Sequence, residues 1–343
     1  MKLQRIIMLR MSGDDVRFVQ NKLKDFGLFK DRIDGYFGQN TLLAVTNFQR
    51  RVDLRPDGVV GPQTWSHILH HNPNPTPLQL ENSKMESLNK VPITVKDIPF
   101  DVSYIGDNGL VINDCLLKEE EFIKKQTKKN TIWLHHTAGG SRPDWTIGGW
   151  EKDYVKDSNG NSVLDSNGVP KPLRVGTHYV IGRKSSSTNE VLWDGRILRA
   201  IDDRYWGYHL GVNHKNSEEL NSKSISIELC NYGPLTMSRD GRFLNYVNKT
   251  ISEKDVVELS NSFRGYKYWE KYTDKQLDSL SKLITYLQNR WGIEIEKGIY
   301  NEDWFNYDEK WFSLGGLRSH TQVRKDKFDI FPQKELIDML NSL

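Results

Sequence analysis

The sequence predicts an α/β domain preceded by a small three-helix domain. From about residue 96 onward, strand-like and helix-like segments alternate, whereas residues 14–69 show only helical spacing around a repeated turn. Between them, residues 71–95 are rich in Pro, Asn and Ser and are expected to be an extended linker. The expected organisation is therefore 1–70, 71–95 and 96–343. With 343 residues, 37% hydrophobic and 27% charged, the chain fits a folded globular class, and each domain is long enough to bury a core.

The three-helix expectation comes from an internal echo. Asp34-Gly35-Tyr36-Phe37-Gly38-Gln39-Asn40-Thr41 and Asp57-Gly58-Val59-Val60-Gly61-Pro62-Gln63-Thr64 share the pattern DGxxGxxT. Each is a turn that needs glycine for positive φ, followed by a helix start. Val16, Val19, Leu23 and Phe26 precede the first turn at helical spacing. Leu42, Val45, Phe48 and Val52 lie between the turns, and Trp65, Ile68 and Leu69 follow the second. Residues 1–70 carry eleven Lys/Arg against seven Asp, while the whole chain is only +3. Such a basic module suits an anionic polymer, and the charge alone fits nucleic acid as well as cell wall. Residues 12–70, with both turns, the Phe48-Gln49 pair and Trp65, resemble the peptidoglycan-binding domain often appended to wall hydrolases. His67, His70 and His71 at its end are expected to be solvated.

In the larger domain the strand candidates are 131–135, 178–181, 197–201 and 224–230. The best helix is 274–291. Leu277, Leu280, Ile284, Leu287 and Trp291 share one face, Thr273 and Gln276 form a capping box, and Gly292 follows the end. Two stretches look inserted. Residues 141–172 hold a tandem Asp-Ser-Asn-Gly at 157–160 and 165–168. Its acidic spacing approaches a calcium loop, but Ser162 occupies the glycine position and no acid closes the loop, so a pair of turns is expected. Residues 232–270 are aromatic and charged with no period, and suggest no function.

Cys115 and Cys230 are the only cysteines, which permits one disulfide at most and excludes a cysteine-based structural zinc site. The apolar run from Ile6 to Leu9 is too short for a signal-peptide core, and no segment approaches the ~20 apolar residues of a membrane span.

Three segments carry the chemistry. Trp133-Leu134-His135-His136-Thr137-Ala138-Gly139 is a strand ending in paired histidines. In Ser224-Ile225-Ser226-Ile227-Glu228-Leu229-Cys230, a period of two puts Glu228 on the polar face of an apolar strand. The segment from Ser319-His320 to Asp329 offers a histidine and, nine residues on, a carboxylate. Taken singly, each has a plain structural reading: a hydrogen-bonded strand-end histidine, a solvent-facing glutamate, a loop ion pair.

Together these segments resemble the zinc amidase family that includes phage lysozyme-type amidases and the peptidoglycan recognition proteins. The resemblance covers about residues 130–335 and adds the THYVIGR strand, the WDGRI turn and the WGYHLG segment. It implies a mixed central sheet flanked by helices. It also implies zinc held by His135, His320 and Asp329, with Glu228 and Lys327 as catalytic residues. His136, Thr137, His178 and His209 would line the substrate cleft or support the ligands. A tyrosine that other members place before the YHF-type strand is Thr177 here, so the chain would rely on Glu228. The usual Asp-Pro-Gly after the last ligand is Asp329-Ile330-Phe331-Pro332. The implied reaction is zinc-assisted hydrolysis of the amide between N-acetylmuramic acid and L-alanine. Its partner would be bacterial peptidoglycan, with no nucleic acid, no membrane insertion and a monomeric state. The alternative is a non-catalytic peptidoglycan-recognition protein of the same fold. A wall enzyme made in the cytoplasm without a signal peptide would fit a phage endolysin released through a pore, a virion or tail enzyme, or a protein exported by another route.

Overall fold

A computed structural model describes residues 7–52, 54, 58–70, 100, 102–106, 108–186, 191–313 and 315–343. The expected linker, 71–95, lies wholly outside the described residues, as does Asp57. The chain divides into two compact units, residues 1–100 and 101–343.

In the first unit, helices α1 (Asp14–Asp25), α2 (Gln39–Arg51) and α3 (Pro62–His70) surround a core that includes Val16, Val19, Leu23, Phe37, Phe48, Val60 and Trp65. The repeated turn has a repeated lock. The Gln20 amide donates to Asp34, to the Tyr36 carbonyl and to Thr41, while its oxygen accepts from Gly35 N–H. Gln49 does the same at the second turn, donating to the Val59 carbonyl and Thr64 and accepting from Gly58 N–H. Gly35 and Gly58 sit at φ 75° and 71°, where a side chain would be strained.

The second unit is built on a seven-stranded mixed sheet. Its strands are β1 (Val102–Ile105), β2 (Val111–Asp114), β3 (Thr131–His136), β4 (Tyr179–Ile181), β5 (Ile197–Arg199), β6 (Ser224–Leu229) and β12 (Gly316–Ser319), in the order β1-β2-β5-β4-β6-β3-β12. The run β4-β6-β3-β12, reaching one edge of the sheet, is parallel. Period two sorts the side chains. Ile132 and Leu134 of β3, with Ile225, Ile227 and Leu229 of β6, pack into one core with the apolar face of the long helix Asp274–Trp291. That helix has the expected capping box at Thr273 and ends at Gly292 with φ 65°. On the opposite face, Trp133 packs with Leu210, Val212, Leu220 and Val323. This is the face that carries His135 and Glu228.

Residues 232–270, which showed no period, form an antiparallel five-stranded sheet. Its strands are β7 (Pro234–Met237), β8 (Phe243–Leu244), β9 (Thr250–Ile251), β10 (Val256–Phe263) and β11 (Tyr266–Glu270). Trp269 of β11 stacks on Phe331 at 4.5 Å and ties this sheet to the main core. A buried ion pair between Arg183 and Glu270 makes a second tie. The tandem Asp-Ser-Asn-Gly forms two turns, as expected. Asp157 accepts from the amides of Asn159 and Asn161, and Asp165 accepts from those of Asn167 and Val169.

Candidate metal centre and active site

Strand β3 lies parallel to β6 with His135 opposite Glu228. Residues paired in register send their side chains to the same face, so the ladder sets this histidine beside this carboxyl. Segment 320–329 brings in the rest: His320 opens a short 3-10 turn after β12, and Asp329 closes the loop. Three atoms converge. His135 Nδ1 lies 3.0 Å from His320 Nδ1 and 3.2 Å from Asp329 Oδ2, and His320 Nδ1 lies 2.7 Å from the same oxygen.

The outer hydrogen bonds assign the tautomers. His320 Nε2 is 2.8 Å from the Leu210 carbonyl, which can only accept, so Nε2 carries the proton and Nδ1 a lone pair. Ser224 donates its hydroxyl to the Asn221 carbonyl, and its oxygen therefore accepts from His209 Nε2 at 2.9 Å. His209 Nδ1 is then the acceptor for His135 Nε2 at 3.1 Å, which leaves His135 Nδ1 unprotonated too. Two imidazole lone pairs and a carboxylate oxygen facing one another make a site for a cation.

Charge states agree with this. Burial, and then His320, lowers the His135 pKa to about 4, so the ring is neutral at neutral pH. Burial pushes the Asp329 carboxyl up, but the adjacent His320 and His135 hold it well below the usual carboxylate range. Glu228 moves the other way. Burial, reinforced by Asp329 and opposed by Lys327, raises it well above the ordinary value. Its Oε2 has no hydrogen-bond partner among the described residues.

Residues 125–327 match the family profile described as "N-acetylmuramoyl-L-alanine amidase". The chain belongs to that amidase family. Residues 12–68 match a second profile, "Putative peptidoglycan binding domain". Among relatives, the chain is 42% identical over 52 residues to N-acetylmuramoyl-L-alanine amidase CwlM of Mycobacterium tuberculosis, covering 15% of this chain and 13% of that protein. It is 39% identical over 59 residues to a spore cortex-lytic enzyme of Halalkalibacterium halodurans, covering 17% and 18%. An uncharacterized protein of Kitasatospora aureofaciens is 45% identical over 58 residues, 17% of this chain and 49% of that one. The chain thus spans less than half the length of these relatives. Among solved structures, PlyL shares 13% identity over 63% of this chain and 84% of its own, with TM-score 0.32. Drosophila PGRP-LB shares 14% over 67% and 94%, with TM-score 0.30.

The amidase-family site differs from expectation at two histidines. His136 follows His135 on a strand and so points to the other face, where its Nδ1 meets the Tyr272 hydroxyl at 2.9 Å, with Trp269 and Phe331 around it. His178 is fully buried, with its ring nitrogens on Ser226 Oγ and the Tyr205 carbonyl. Burial lowers His136 to about 4 and His178 to about 3. Both rings are buried. Thr137 is half-buried, and its hydroxyl oxygen accepts from Asn231 N–H at 3.2 Å, joining the ends of β3 and β6. His209 is buried and touches His135 directly. Lys327 is half-buried in the 320–329 loop, close enough for its charge to act on His135 and Glu228. The Leu210 carbonyl and the Ser224–Asn221 relay were not anticipated. Ser224 did leave a signal, since it shares the polar face of the strand with Glu228.

Proposed function

We propose that this chain hydrolyses the amide between the lactyl group of N-acetylmuramic acid and L-alanine of the stem peptide, as a zinc enzyme acting on cell-wall peptidoglycan. The observation that carries this reading is the convergence of His135 Nδ1, His320 Nδ1 and Asp329 Oδ2 within 4.8 Å of one another. Two neutral imidazoles and one carboxylate form a hydrolytic zinc set with a fourth position left for water. When bound, zinc would acidify water and polarise the scissile carbonyl. Glu228 would take the proton from the attacking water and pass it to the leaving nitrogen. Its enclosed Oε2 keeps bulk water from competing for that proton. Lys327 would donate to the developing oxyanion. Residues 1–70 would hold the wall, 71–95 would connect, and 96–343 would cut. No described helix is long and apolar enough to cross a membrane.

The test is mass spectrometry of material released from isolated peptidoglycan with and without a chelator. Stem peptides with a new N-terminal alanine, released only without chelator, support the proposal. Retention on walls with no release would sink it in favour of recognition without catalysis, and cleavage elsewhere would discard the assigned bond.

A further inference from the structure

Residues 141–172 and 232–270, which the proposed chemistry does not use, both supply side chains to one stretch of backbone. Residues 137–142 leave the carboxyl end of β3 beside the metal cluster and run along the carboxyl edge of the sheet. Gly139 N–H donates to the Asn231 carbonyl beyond β6 at 2.9 Å, and the Ser141 carbonyl accepts from Arg183 N–H beyond β4 at 3.1 Å. Ligands of open α/β sheets bind outside the carboxyl ends of the strands. Gly139 and Gly140 carry no side chains, and the Tyr232 and Thr137 hydroxyls face the middle of the stretch, 3.4 Å and 3.3 Å from where Cβ atoms on Gly140 and Gly139 would sit.

Exposed aromatic rings stand at both ends. Tyr246, between β8 and β9, is 64% exposed and donates its hydroxyl to the Ala138 carbonyl at 2.6 Å. Tyr232 lies 6.1 Å from it, with its hydroxyl 3.4 Å from where a Cβ on Gly140 would sit. At the other end, Trp145 is 54% exposed and covers the Arg142 guanidinium at 4.9 Å; Trp193 lies 4.9 Å from the same group. Arg142 is paired through two hydrogen bonds with buried Asp144. Both exposed rings are therefore held in place, Tyr246 by its hydroxyl and Trp145 by a stacked cation.

We propose that this stretch is a saccharide subsite in which Tyr246 and Trp145 stack against N-acetylhexosamine rings of a glycan strand. The proposal rests on the amide-hydrolysis reading and extends it to what holds the sugar side of the substrate. Exposed aromatic rings beside hydroxyl groups match a pyranose, whose C–H face stacks while its acetamido and hydroxyl groups hydrogen-bond. Arg142, the one charged side chain of the stretch, is neutralised by Asp144 just beyond it, so the stretch offers little to a charged stem peptide. Ala138 is three residues from His135, at most about 11 Å of extended chain, so a strand lying here stays within reach of the cluster.

The experiment compares hydrolysis, by the full chain, of stem-bearing fragments with one or four sugar rings. In the wild type kcat/KM should rise about tenfold with the added rings, the size expected of one well-placed aromatic contact. Trp145→Ala and Tyr246→Ala should lose that gain, and Tyr246→Phe should keep most of it. A wild type without the gain, or alanine variants that retain it, overturns the subsite. If neither fragment is cleaved, the amide reading fails by itself and calorimetric titration with a four-ring N-acetylhexosamine oligomer decides the subsite. Binding about tenfold weaker in the double alanine variant supports it, and equal binding overturns it.

Discussion

The two repeated turns of the N-terminal unit and the His135–His320–Asp329 cluster of the second unit handle polar groups in opposite ways. At the turns, one buried glutamine side chain meets a backbone N–H, a backbone carbonyl and a threonine hydroxyl, and the arrangement recurs at Gln20 and Gln49. Each donor there has an acceptor. At the cluster, three acceptor atoms face one another, and Glu228 Oε2 is enclosed without a partner. Saturated hydrogen bonding fixes a conformation; unsaturated polarity in a rigid frame is left for something that arrives later.

That contrast can be broken first at Glu228. Glu228→Gln should lower turnover by roughly 10²–10⁴-fold while zinc stays bound, whereas His320→Ala should lose both, as product release and metal analysis would report. Full activity in Glu228→Gln would mean the unpaired carboxyl is not the base. Next comes His209, whose removal strands the buried His135 Nε2–H. His209→Ala should weaken zinc binding about 10–100-fold in competition with a chelator, and unchanged affinity would show the relay to be idle. At the turns, Gln20→Ala removes a saturated lock and should cost about 1–3 kcal/mol. Hydrogen exchange at the Gly35 amide reads this directly, and a Gly35 amide as protected as before would mean the turn stands without the lock.

The smallest effect lies between the two extremes. Lys129 is fully buried, and although its ammonium donates to the Tyr205 and Ser222 carbonyls, burial lowers its pKa to about 7. The unfolded chain holds that proton up to pH ~10.5, so between about 7 and 10.5 the unfolded state binds more protons and stability rises with pH. Lys129→Met should flatten that rise by up to about 1.4 kcal/mol per pH unit, measured as the denaturation midpoint from pH 7 to 9. An unaltered slope would assign the pH dependence to other groups.

Legibility followed pattern length. The helix 274–291 had five turns of apolar spacing and a capping box, and its start and end were read correctly. The strand 224–229 showed alternation over six residues, enough to put Glu228 on the correct face. The inserted sheet stayed hidden because β8 and β9 have two residues each and the longer strands do not alternate: β7 exposes both Thr236 and Met237, and eight-residue β10 buries only Leu259 and Phe263, four apart. The metal cluster joins residues 185 and 194 positions apart, a separation that no local pattern bridges, and it was anticipated through family resemblance alone. His136 shows how far alternation alone reaches: following His135 on a strand, it must face away from it, and its ring lies on Tyr272. His178 gave no comparable warning, since its partners Ser226 and Tyr205 lie 48 and 27 residues away.

The pairing of His135 with Glu228 across β3 and β6 has a use at the bench. A one-residue slip between these strands would set His135 against Ile227 or Leu229 and turn one of the two functional side chains into the helix-side core. A misregistered molecule is therefore silent rather than sluggish. For the hydrolase proposed here, the specific activity of a refolded batch would then report native strand register, an internal quality-control assay.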